Sequence, residues 1–173
     1  VIGNKKNARI AASLYDSGKD ETECWHVLGA GGTRTCWLGP DGVAYKVTEA
    51  GNRYGWSAKA NAREYRRVKK YRGPKWKTVL EEQLVRVPDA TLWQLEDRAV
   101  LAMEYVEDSG IKVECGTYPD YDICKCRKFG EHRICFSVLL DDYLTTKYKM
   151  DDMFWGNVIL DKSGWFNVID LGW

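Results

Sequence analysis

The run from residue 23 to residue 47 constrains the fold most. Its apolar and threonine positions recur at every second residue: Trp25 and Val27, then Thr33, Thr35 and Trp37, then Val43, Tyr45 and Val47. A period of two belongs to strands. Gly29-Ala30-Gly31-Gly32 and Gly39-Pro40-Asp41-Gly42 cut the run into three. In the second break proline sets its own φ and Gly42 tolerates a positive one, so a tight reversal is expected and neighbouring strands pair antiparallel. Two further strands are predicted over 91–95 and 99–106, around an Asp97-Arg98 turn. Between these groups, 57–71 is rich in Ala, Arg and Lys with one Glu, holds no Gly or Pro, and is stopped by Gly73-Pro74. That composition predicts a helix of about four turns.

Five antiparallel strands and one helix therefore make a small lobe over 1–106, and a second lobe is expected over 107–173. In the second, Phe136, Val138, Leu139, Leu140, Tyr143 and Leu144 suit a partly buried helix over 136–148. Two short strands, 158–160 and 166–169, flank Asp161-Lys162-Ser163-Gly164 as a hairpin. The fold class expected is α+β. A chain of 173 residues is long enough for one domain or two small lobes.

No apolar run approaches the roughly 20 residues that span a bilayer. The first ten residues carry Lys5, Lys6 and Arg9 with no apolar stretch behind them, so a soluble, cytoplasmic chain without membrane contact is expected. The net charge of +1 gives no general attraction to nucleic acid. Eight tryptophans invite base stacking, but most lie at apolar positions of strands and read as core. Charge is uneven, however. The stretch 59–77 holds nine basic residues and a single acid, Glu64, which reads as a solvated helix face or as a docking surface for an acidic partner.

Four features carry chemistry. The loop Gly29-Ala30-Gly31-Gly32-Thr33-Arg34 lies between two strands, where small residues let backbone N–H groups approach an anion and Arg34 adds charge. Lys46 sits in the apolar strand Val43-Ala44-Tyr45-Lys46-Val47, where its ammonium needs a partner, and Glu64 is the one acid of the basic helix. Leu101-Ala102-Met103-Glu104-Tyr105-Val106 is an apolar strand running into a polar exit. Asp152 is followed five residues later by Asn157, and after the hairpin comes Asp170-Leu171-Gly172.

In this order the features resemble protein kinases, and also small-molecule kinases of the aminoglycoside phosphotransferase type, over about residues 25–173. VAYK is similar to the kinase VAIK strand, DMFWGN to the catalytic loop, and DLG to the DFG element. The resemblance implies a protein-kinase-like fold with a five-stranded, one-helix N-lobe and a strongly reduced C-lobe, binding ATP and Mg2+ between the lobes. It implies that Gly29, Gly31, Gly32, Arg34 and Ala44 border the nucleotide, that Lys46 holds its phosphates, and that Glu64 pairs with Lys46. Met103 would be the gatekeeper, with Glu104 and Val106 in the hinge. Asp152 would orient or deprotonate an attacking hydroxyl of a protein or small molecule, while Asn157 and Asp170 offer hard oxygen ligands to magnesium.

The departures are specific. Met150 and Asp151 replace the His-Arg pair before the catalytic aspartate, which leaves Asp151 as a rival to Asp152; Arg34 replaces the third glycine; Phe154 stands where many kinases carry lysine. The sequence ends three residues after Asp170, so the helices that bind peptide substrates are absent from it. A minimal kinase, a nucleotide-binding pseudokinase and a piece of a longer kinase all fit. Separately, Cys115, Cys124, Cys126 and Cys135, with His132 nearby, lie within 21 residues. A structural Zn2+ site, disulfides and unpaired thiols remain open there, although no paired CxxC knuckle is present. Cys24 and Cys36 read as core residues of the strand region.

Overall fold

The computed structural model describes residues 1–19, 21–32, 34–50, 56–110, 145–146, 149–150 and 157–171. The elements run α1 (Lys5–Ser17), β1 (His26–Ala30), β2 (Arg34–Leu38), β3 (Val43–Thr48), α2 (Trp56–Arg72), α3 (Pro74–Glu81), β4 (Val85–Arg86), β5 (Ala90–Gln94), β6 (Ala99–Glu104), β7 (Val158–Leu160) and β8 (Phe166–Val168). The fold is α+β. It divides into one unit of Val1–Lys70 with Pro88–Tyr105 and another of Tyr71–Val87 with Val106–Trp173.

The first unit is built on a five-stranded antiparallel sheet in the order β1-β2-β3-β6-β5. Register sorts its side chains onto two faces, because residues paired across strands point the same way and neighbours along a strand point oppositely. Trp37, Tyr45 and Ala102 are aligned on one face, and Cys36, Lys46 and Leu101 on the other. On the first face α1 presents Ala8, Ala11, Ala12 and Leu14 to Trp25, Trp37, Tyr45, Val47, Val100 and Ala102, forming the apolar core. Small alanines bring the helix close to the aromatic sheet surface.

Helix α1 is not expected from the sequence, which predicts one helix over 1–106, where three are found among the described residues. Its ends nonetheless carry standard signals. The Asn4 side chain accepts a hydrogen bond from the Asn7 N–H, and Gly18 closes the helix in the left-handed region at φ 63°. Its buried stripe is mostly alanine, which a search for large apolar residues passes over. The approach to α1 is fastened to the sheet. Ile2 N–H donates to Thr91 Oγ1 at 2.8 Å, and Trp93 Nε1 donates to the Ile2 carbonyl at 3.1 Å. Gly3 has φ +64°, and a Cβ there would fall 2.5 Å from the Tyr45 hydroxyl, so glycine is required. Tyr45 donates to Asp41 Oδ2 at 2.6 Å. Burial, reinforced by that hydrogen bond and charge, pushes the Tyr45 phenol up to about 12.

The predicted turn at Gly39-Pro40-Asp41-Gly42 is present: Gly42 N–H donates to the Gly39 carbonyl at 3.0 Å, with Gly42 at φ 70°. At the β5–β6 turn the buried guanidinium of Arg98 donates to the Asp16 carboxylate at 2.8 Å, to Asp97 at 2.7 Å and to the Thr48 carbonyl at 3.1 Å. Desolvation works against its charge, but the Asp97 and Asp16 contacts outweigh it and raise the Arg98 pKa. Cys24 is exposed, which corrects the core reading of that residue, and Cys36 is half-buried on β2.

The second unit contains α3 and a three-stranded sheet in the order β4-β8-β7, with β4 parallel and β7 antiparallel to β8. Residues 71–87 had been expected in the first lobe. They group here because Val85 and Arg86 pair with Phe166 and Asn167, and Phe166 N–H donates to the Leu84 carbonyl at 2.9 Å. Gly73-Pro74 ends α2 as predicted but also starts α3, with proline in the first turn, where its missing N–H costs nothing. Neither α3 nor the two-residue β4 was foreseen. The β7–β8 hairpin matches the sequence pattern, with Gly164 at φ 82°. Asp161 accepts from the Ser163 and Trp165 N–H groups and from Asn167 Nδ2. Burial opposes its ionisation, but these bonds and Arg86 hold its carboxyl below the ordinary range. The helix expected over 136–148 lies outside the described residues except at 145–146. No helix among the described residues is long and apolar enough to cross a membrane.

Candidate functional site

The face of the five-stranded sheet turned away from α1 gathers most of the residues singled out in the first unit. Arg34 aligns with Thr48, Cys36 with Lys46, Lys46 with Leu101, and Ala44 with Met103. Arg34, Ala44, Lys46 and Met103 therefore share one side, and Lys46 and Met103 are buried. Lys46 lies there because strand periodicity sends it opposite to Tyr45 and Val47, the core residues on either side of it.

Helix α2 supplies the counter-charge. Its inward stripe is Asn61, Glu64 and Val68, all buried, at the three- and four-residue spacing of one helix face. Lys46 Nζ donates to Glu64 Oε1 at 2.6 Å, with the glutamate side chain 1% exposed and the lysine 10%. Arg34 Nη1 donates to the other oxygen, Glu64 Oε2. The helix is located by Asn61, whose Nδ2 donates to the Lys46 and Ala99 carbonyls, each at 2.8 Å. Arg34 Nη1 also lies 3.4 Å from Asn61 Oδ1. Asn61 was not singled out in the sequence. The signal was its position three residues before Glu64, on the same helix face.

The glycine loop is a hairpin end in which Gly31 N–H donates to the Arg34 carbonyl at 2.8 Å. The β1–β2 register shifts between Val27 and Gly29, and Gly29, Gly31 and Gly32 are all exposed. At Gly29 and Gly32 an added Cβ meets nothing within 4 Å among the described residues, and neither residue has a positive φ. Among the described residues nothing requires glycine at either position. At the end of β6, Glu104 exchanges bonds with Asp89: its N–H donates to the Asp89 carbonyl at 2.9 Å, and its Oε2 accepts from the Asp89 N–H at 2.7 Å. Val106 follows, half-buried.

In the second unit, the β7–β8 hairpin brings Asn157 and Asp170 together. Asn157 precedes β7 and is buried, and its carbonyl accepts from the N–H groups of Ile169 at 2.9 Å and Asp170 at 3.4 Å. Two residues thirteen apart are thus held side by side by backbone. No cluster of three or more His, Cys, Asp or Glu suited to a metal occurs among the described residues. Asp151, Asp152 and Cys115, Cys124, Cys126 and Cys135 lie outside the described residues. A groove of about 520 Å³ along α1 and the β5–β6 turn, lined by Lys5, Arg9, Asp16 and Arg98 among others, includes none of the candidate site residues. Neither a family model nor a curated protein matches the chain.

Proposed function

We propose that the chain is a kinase-like domain that binds ATP with Mg2+ and transfers the γ-phosphoryl group to a hydroxyl of a protein or small molecule. The buried Lys46–Glu64 pair carries this reading. A lysine and a glutamate taken out of water on a strand and the following helix contribute little net stability, since desolvation offsets most of their attraction. An ammonium already ordered and dehydrated is well suited to phosphate oxygens. Met103 on the same sheet face supports the reading, as does the space over Gly29 and Gly32 that no described residue fills. So does the adjacency of Asn157 and Asp170. Their side chains offer a neutral and an anionic oxygen, a set that fits Mg2+, which takes one or two protein ligands and fills the rest with water and phosphate. Bound there, the ion would neutralise charge on the phosphates.

In the proposed reaction Lys46 orients the phosphates and Glu64 orients Lys46. Asp152 accepts the proton of the acceptor hydroxyl as its oxygen bonds to the γ-phosphorus, and the bond from that phosphorus to the β,γ-bridging oxygen breaks to leave ADP. Calorimetry tests the binding half. ATP is expected to bind in the presence of Mg2+ and to lose at least about tenfold in affinity in Asp170→Asn, in line with removal of a charged ligand. No binding to the unmodified chain, with or without Mg2+, overturns the reading.

A second reading rests on α2. Lys59, Arg63, Arg66 and Lys70 recur at the spacing of one helix face, opposite Asn61, Glu64 and Val68. Lys59, Arg66 and Lys70 are exposed, and the one acid of the helix is turned inward. This stripe suits an acidic protein segment better than nucleic acid, given a net charge of only +1. On this reading the chain is a nucleotide-binding regulator that docks such a partner.

A further inference from the structure

We propose that Arg34 is a positioning residue, a second counter-ion that keeps Glu64 neutralised when Lys46 turns to phosphate, and not itself a phosphate ligand. The sequence alone points the other way, because an arginine closing a glycine loop reads as added charge for an anion. In the structure its guanidinium is directed inward, to Glu64 Oε2 and toward Asn61 Oδ1, with 14% of the side chain exposed. Glu64 thereby has a separate cation on each oxygen, Lys46 on Oε1 and Arg34 on Oε2.

The consequence follows from burial. Glu64 is 1% exposed, and a carboxylate at that depth is strongly disfavoured without a cation. If Lys46 were its only partner, each polyanion that drew the ammonium away would strand the carboxylate, and the cost would be subtracted from binding. With Arg34 in place Lys46 can be shared or released. Arg34 also begins β2 directly after the glycine loop, while Glu64 and Asn61 belong to α2, so the same contact ties the position of the loop to that of the helix. The phosphate part of this inference rests on the proposed ATP binding; the shared carboxylate does not.

A mutant cycle separates the possibilities. Affinities for ATP with Mg2+ and for adenosine are measured in Arg34→Met and Arg34→Lys, each alone and combined with Glu64→Gln. Arg34→Met is expected to weaken ATP about tenfold, as for a lost charge-assisted bond, with adenosine unchanged and Arg34→Lys restoring part of the loss. In the Glu64→Gln background there is no carboxylate left to neutralise, and Arg34→Met should change ATP affinity less than about twofold. An undiminished loss in that background would make Arg34 a direct phosphate ligand and overturn the proposal. Urea unfolding supplies a readout independent of nucleotide. Arg34→Met should lower the midpoint more in Lys46→Met than in the unmodified chain, because Glu64 then loses its last cation. Equal shifts in the two backgrounds overturn the shared carboxylate, whereas absence of ATP binding in the unmodified chain overturns only the kinase-like reading.

Discussion

The two faces of the five-stranded sheet are made by alternate residues of the same strands, yet they are finished in opposite ways. Toward α1, Tyr45, Val47, Trp37 and Ala102 meet alanines and a leucine in an apolar layer. Toward α2, Lys46 and Arg34 meet Glu64 and Asn61 in a buried polar one. Burying apolar surface stabilises by about 25 cal/mol per Å², whereas a buried ion pair recovers little beyond its own desolvation. The first face therefore accounts for why the sheet folds. The second face holds charges whose mutual attraction adds little to folding, which is the physical ground for proposing a site there.

The sharpest way to break that comparison is to cut both faces and then refill them. Tyr45→Ala on the apolar face and Glu64→Gln on the charged face are each expected to cost about 3–5 kcal/mol in urea unfolding, one through a cavity and the other through uncompensated buried cations. Refilling separates them. Arg34→Met, Lys46→Met and Glu64→Leu made together should return stability to within about 1 kcal/mol of the unmodified chain or above it, with ATP binding abolished. If the triple variant stays as unstable as Glu64→Gln, the charges are structural and the contrast between the faces collapses.

A smaller effect should distinguish the faces by pH. The Tyr45 phenol has its pKa raised from 10.0 to about 12 by burial and its bond to Asp41. A raised folded pKa means that the native state holds the proton more tightly. The contribution is complete below the unfolded value near 10 and is lost as pH climbs toward 12. On the order of 2 kcal/mol should disappear over that interval. In Tyr45→Phe, which forfeits about 1 kcal/mol of hydrogen bonding at neutral pH, this alkaline slope should be absent. An unchanged slope in Tyr45→Phe would shift alkaline sensitivity to another group and detach it from the apolar face.

How far these faces can be read from the sequence depends on which interactions are local. Alternation from Trp25 to Val47 and the turns at Gly42 and Gly164 were legible, because strand period and positive φ are properties of a few consecutive residues. The pairing of Lys46 with Glu64 was legible only through resemblance, since nothing local links a strand lysine to a glutamate eighteen residues later. Helix α1 was hidden by the smallness of Ala8, Ala11 and Ala12, which pack closely but carry little hydropathy. Strand β4 was hidden because two residues have no period, and its partner, β8, is some eighty residues away. The contact of Arg34 with Glu64 was not legible either: a loop motif says where a guanidinium starts, and only the packed helix shows the carboxylate it reaches. Asn61 shows the same limit, as its two backbone acceptors come from β3 and β6.

The smallest stability effect is expected at the rim of the charged face, and there it is the most discriminating. At Gly29 and Gly32 an added methyl meets no atom of the described residues within 4 Å and neither backbone lies in the left-handed region. Gly29→Ala and Gly32→Ala should accordingly change folding stability by less than about 0.5 kcal/mol. An anion held by the backbone of this loop must come closer than a Cβ allows, so the same substitutions should weaken ATP by about three- to tenfold. Loss of affinity at constant stability would extend the functional face from Lys46 to the loop. Constant affinity would confine it to the buried triad, with Lys46 binding phosphate without help from the glycines.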